Sequence, residues 1–227
     1  MQRAVLSVLA FCAAAALAQP ANPPAAADAD AFREAAAAHY RSILASLSAK
    51  GRLDDDPALL ARSRRIAAGL VVAAAQVRPE TAAWSWEVHV TSDASRGTFC
   101  IAGGKVLVGS ERVRSLELAD GELAMMLGHE IAHAVAGHRR EAPRASIDGD
   151  PAQEVREAEI AVMQENEADR IGMLLAHRAG WAAASLVSFF DKLAQREPPG
   201  TFSSSHPSAA SRSAAAHALA ESLARER

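Results

Sequence analysis

Cysteine, aromatic residues and an excess of either charge are all scarce in this chain of 227 residues. Its two cysteines are Cys12 and Cys100, and Cys12 lies in a segment expected to be removed, so no disulfide framework can form. Aromatics make up 4% of residues, while alanine dominates the apolar half, and alanine is the strongest helix former. The formal net charge is −3. No large basic excess exists, which argues against nucleic acid as a partner. Beyond residue 18 no apolar run approaches the roughly 20 residues of a membrane span. The length suits one domain with a real core better than two.

The first residues read as a targeting segment. Arg3 precedes an apolar run from Ala4 to Ala18, and "AQPANPP" breaks it. Ala16-Leu17-Ala18 is a small-x-small cleavage site, so a signal peptide of residues 1–18 is expected, with cleavage before Gln19. Residues 19–29 should be a flexible lead-in, and 30–227 the folded domain, periplasmic or secreted.

Within that domain the order is helices, a few strands, then helices. Phe32, Ala36, Tyr40, Ile43, Leu44 and Leu47 recur at helical spacing. Pro57 suits the first turn of a second helix, ending near Gln76. "WSWEVHVT" alternates, and "TFCIAGGKVLVGSERV" reads as two strands about Gly103-Gly104. Helical period returns after Asp120, a plausible N-cap. Three more helices are expected, at about 152–178, 181–197 and 209–226. The fold class is α+β: a mainly helical domain with a small β-meander or hairpin before the active-site helix.

The chemistry concentrates in "GHEIAHAVAGH", Gly128 to His138. It holds three of the chain's eight histidines. His129 and His133 are four residues apart, and four residues turn a helix by about 400°. Both imidazoles therefore leave one face and can reach one metal ion. Glu130 lies beside them, where a carboxylate can take a proton from water held at that ion. Chance histidines satisfying core hydrogen bonds are the plain alternative. A catalytic zinc needs a third protein ligand. His138 follows His133 by five residues, roughly 140° around the helix. It is expected to point away and to sit at the helix's negative end. "ENEADRIG" offers a better third ligand. Glu165 and Asp169 are again four apart, flanked by Ile160, Met163, Ala168 and Ile171. Glu165 can ligate, and Asp169 can accept a ligating histidine's outer N–H. The alternative there is a solvated acidic face.

These segments resemble the zinc metallopeptidases of the CAAX prenyl protease 1 and HtpX family, of gluzincin type, in particular its small exported bacterial members. "HEIAHAVAGH" and "ENEADRIG" match its two signature segments, and the resemblance runs from about Leu70 to Arg212. It implies one zinc ion held by His129, His133 and Glu165, with Glu130 as catalytic acid/base and Asp169 as supporting carboxylate. The family's histidine-proline pair and following arginine appear here as "SHPSAASR". His206 would mask the metal or steady the oxyanion, with Arg212 also at the oxyanion. "GTFCIAGGKVLVGS" resembles the hairpin before the active-site helix, with Gly97-Thr98 in place of asparagine-alanine and Ala102 in place of proline. Polypeptide substrates are implied, bound extended along the hairpin edge near Gly103 to Val108, and envelope proteins are the expected partners. The competing class is a non-catalytic zinc-bearing chaperone or assembly factor.

Overall fold

The computed structural model describes residues 26–138, 151–196 and 207–225. Helix α1 spans Ala26–Ala49 and α2 spans Pro57–Val77, followed by a short 3-10 turn at Pro79–Ala83. Strands β1 (Glu87–Thr91), β2 (Phe99–Ile101) and β3 (Lys105–Gly109) come next, then the short helix α3 (Ser110–Ser115). Helices α4 (Asp120–Ala136), α5 (Pro151–Arg178), α6 (Ala183–Arg196) and α7 (Ala209–Arg225) complete the order. This is the expected α+β domain, mostly helical with one small sheet. Helix α1 begins at Ala26, so the last residues of the expected lead-in are helical.

Helix α4 is the centre. It is buried without a break from Gly121 to Val135, and it packs on α2, α5, α6 and β2. Ten of its 17 residues are alanine, leucine, methionine, isoleucine or valine, spread around every side, as a helix with no solvent face requires. Its start differs from the sequence expectation. Ala119, not Asp120, is the N-cap, and its N–H donates to Glu122 Oε2 at 2.7 Å. Glu122 is thus the third helical residue and closes that half of a capping box. The same carboxylate accepts from Ser188 and from Lys192, each at 2.7 Å, which ties α6 to the start of α4. Burial acts to raise the Glu122 carboxyl, but these bonds outweigh it and hold it below the usual range.

The sheet has the order β1-β3-β2. Strands β2 and β3 form the expected antiparallel hairpin, with Cys100 opposite Val106. Strand β1, however, pairs parallel to β3, with Val88 opposite Val106. The arrangement is therefore a hairpin with a parallel third strand rather than a meander. The chain between β1 and β2 passes over the end of β3 to make this possible. At Gly109 an added Cβ would stand 2.6 Å from the Arg96 carbonyl oxygen, so that crossing requires glycine. The crossing also ends β3, and α3 begins at Ser110 where the sequence pattern suggested more strand. Glu111 in its first turn and Arg114 in its last suit the helix dipole.

Side chains of β3 alternate between two cores. Val106 and Val108 face the main core around α4, whereas Leu107 meets Tyr40, Ile43 and Leu47 of α1. The Tyr40 hydroxyl donates to the Val106 carbonyl at 2.6 Å, fixing α1 on the sheet. Because β3 lies between two strands and is buried throughout, the segment from Lys105 to Val108 offers no edge for an added strand. That corrects the expected substrate position.

Candidate metal centre

The site forms where α4 meets α5, and two glycines allow the approach. A Cβ on Gly128 would lie 2.7 Å from the Gly172 carbonyl oxygen, and one on Gly172 would lie 2.6 Å from the His129 backbone nitrogen. Any side chain at either position would push the helices apart. With the backbones in contact, the faces bearing His129, His133 and Glu165 meet.

Two ring nitrogens and the two oxygens of one carboxylate form a tight cluster, with one atom from each residue within 4.8 Å of the others. His129 Nε2 and His133 Nε2 stand 3.1 Å apart, and each lies 3.3 Å from a Glu165 carboxylate oxygen. A tetrahedral ion with bonds of about 2.0–2.1 Å holds its ligands about 3.3 Å apart. The donors also suit zinc chemically: two imidazole nitrogens and one carboxylate, all buried. The residues therefore fit a metal ion at this point. Among the described residues, this is the one cluster of its kind.

Behind the cluster each histidine has an outer partner. Asp169 Oδ1 accepts from His129 Nδ1 at 2.8 Å. Arg212, from α7, holds the same carboxylate with two bonds, Nε to Oδ2 and Nη2 to Oδ1, both 2.7 Å. The guanidinium carbon also sits 5.5 Å from the Phe190 ring centre. Burial pushes the Asp169 carboxyl up, but the bonds from His129 and Arg212 prevail and hold it below its usual range. For His129, burial acts to lower the pKa, yet Asp169 and Glu165 outweigh it and raise it to about 9.

Glu130 is buried and lines an open cleft of about 810 Å³. His129, Thr98, Met126, Phe189, Pro207 and Arg212 share that cleft.

The structure thus brings His129, His133 and Glu165 together, puts Asp169 behind His129, and sets Glu130 and Arg212 on one cleft. Arg212 is engaged with Asp169, a partner the sequence reading did not give it. His206 lies outside the described residues, as do residues 1–18. His138 is a correction. Helix α4 ends at Ala136, and Gly137 adopts φ 76°, so the angular argument for a continuing helix no longer applies. The chain doubles back, and His138 Nδ1 comes 3.1 Å from His133 Nδ1. Burial, the largest influence, lowers the His138 pKa. Gly128, Gly172 and Gly137 escaped the sequence reading. Their signal was present: glycine inside a helix costs about 1 kcal/mol relative to alanine, so an internal one invites a packing explanation.

Two histidines one turn apart on a central helix and a glutamate from its neighbour, in a helical domain with a small sheet, define a zincin-like metallopeptidase domain. The chain belongs to peptidase family M48, whose family model matches residues 60–147 and 158–220. It is similar to the mitochondrial metalloendopeptidase OMA1 of Arabidopsis thaliana, 29% identical over 161 residues, which are 61% of this chain and 33% of that protein. The protein of the same name from Saccharomyces cerevisiae is 30% identical over 132 residues, 49% of this chain and 38% of its own length. The chain therefore spans only 33% and 38% of the lengths of these two relatives.

Proposed function

We propose that this chain is an exported zinc endopeptidase of the CAAX prenyl protease 1 and HtpX type, acting on unfolded polypeptides of the cell envelope. The observation that carries the reading is the cluster of His129, His133 and Glu165, with ring nitrogens 3.1 Å apart and each 3.3 Å from one of the two Glu165 oxygens, opening on the cleft that Glu130 lines. A zinc ion held by His129, His133 and Glu165 would supply Lewis acidity for a carbonyl and would lower the pKa of water near it. Glu130 accepts the proton of the attacking water and passes it to the leaving amine. His129 and His133 present their Nε2 lone pairs, and Asp169 fixes the ring of His129. Arg212 keeps Asp169 ionised and brings positive charge to the cleft, where an oxyanion develops. His206 belongs to the same reading because its neighbour Pro207 lines the cleft. It either masks the metal or steadies the oxyanion. Export rests on residues 1–18, whereas the OMA1 relatives carry "mitochondrial" in their names.

The test is zinc content and casein cleavage by the purified chain. One zinc per chain and chelator-sensitive cleavage are expected. Bound zinc with protection of unfolded casein and no cleavage would instead favour the zinc-bearing chaperone.

A further inference from the structure

His133, like His129, has an outer partner. Its Nδ1 faces His138 Nδ1 at 3.1 Å, and His138 Nε2 faces Glu167 Oε2 at 3.2 Å. A Glu167 carboxylate oxygen is the acceptor for a ring N–H in that contact. The His138 Nε2 must therefore carry the hydrogen in that contact. In the tautomer with its hydrogen on Nε2, His138 Nδ1 is the ring's acceptor. The facing His133 Nδ1 then has to donate. That leaves the lone pair of His133 on Nε2, the atom that stands 3.1 Å from His129 Nε2 and 3.3 Å from Glu165.

We propose that His138 is a positioning residue: with Glu167 it holds His133 in the tautomer and ring orientation that a metal ion needs. The inference rests on the metal-site reading above. The backbone supports it. The left-handed Gly137 lets His138 N–H reach the His133 carbonyl at 2.9 Å and Gly137 N–H reach Ala134 at 3.3 Å, a Schellman closure. One turn of chain thus returns the ring to the residue it started from. The two ring planes meet at 72°, with centres 5.1 Å apart, and the His138 side chain is only 7% exposed. The site is consequently asymmetric. His129 is backed by a carboxylate and an arginine, and His133 by an imidazole ring and a half-exposed carboxylate.

The experiment is zinc affinity of the full chain by chelator competition, alongside melting of the metal-free protein. His138→Phe keeps a ring and removes both nitrogens. His138→Asn puts an amide oxygen where Nδ1 accepts. Loss of an outer-shell partner weakens metal binding by about 10–100-fold. The expectation is a loss in that range for H138F and about threefold or less for H138N, with metal-free melting unchanged in both. Glu167→Ala should fall between them, and it remains informative should H138F fold poorly. Wild-type affinity in both H138F and E167A would overturn the proposal. So would equal losses in H138F and H138N, since these would mark a packing role. A wild-type chain that takes up no zinc would overturn the metal-site reading itself, and that result is distinct from unchanged affinity in the variants.

Discussion

Two carboxylates near α4 are each gripped by arginine, and they differ in what stands on their other side. Asp120, in the first turn of α4, meets Arg62 at 2.5 Å and Arg65 at 2.7 Å from α2. Its side chain is 39% exposed. Asp169 meets Arg212 at 2.7 Å, with side chains 14% and 11% exposed, and beyond it lies His129. The chemistry of pairing is the same. Both carboxyls lie below their usual range, Asp120 through Arg65 and Arg62, and Asp169, against its burial, through His129 and Arg212. The exposed pair helps dock α2 on α4, an interaction screened by water. The buried pair sets the direction of a metal-binding ring, and its desolvation makes it costly to break.

The largest expected effect comes from breaking the buried pair on one side. Arg212→Leu leaves Asp169 with His129 as its main cation. The fold should lose about 3 kcal/mol, the low end for an orphaned buried charge, read by denaturant or thermal melting. An unchanged midpoint would show that the pair is not stabilising. Asp169→Asn should leave the fold nearer to wild type and weaken zinc binding by about 10–100-fold, read by chelator competition.

The same comparison has a pH signature. In the metal-free protein the His129 pKa is raised from 6.5 to about 9. The charged ring therefore contributes stability fully below 6.5, and that contribution is lost as pH rises through about 9. Zinc must displace the proton, so its apparent affinity should fall about tenfold per unit as pH drops from about 8 to about 6.5. A flat profile would mean that His129 is already neutral without metal. The smallest effect belongs to the exposed pair. Asp120→Asn should cost about 1 kcal/mol or less and leave zinc affinity unaltered. A drop in zinc affinity for D120N would erase the distinction between the two pairs.

Helices and ligands were legible in the sequence for a common reason: both are written in spacing. Pro57, Gly180 and the apolar period located α2, α5 and α6 closely, and the four-residue spacings of His129/His133 and Glu165/Asp169 marked two faces that could share an ion. What spacing did not carry is contact between distant segments. Strand β1 pairs parallel to β3 because the chain crosses at Gly109, an approach set by Arg96 and invisible in either strand alone. The Arg212–Asp169 pair joins α7 to α5, and nothing local to either residue announces it. His138 was misread because a 3.6-residue turn was extended past Gly137, where the helix stops. Residues 1–18 and His206 lie outside the described residues, so export and the His206 role stand as proposals.

The central claim is that Glu130 acts on water beside a metal held by His129, His133 and Glu165. Glu130→Gln tests it most directly, because it removes the base while leaving every proposed ligand and nearly the same volume. Zinc content and casein cleavage should be measured on the same preparations of wild type and E130Q. The account predicts one zinc per chain in both, with turnover in E130Q lowered by at least about 10²-fold. Near wild-type turnover in zinc-loaded E130Q would contradict it.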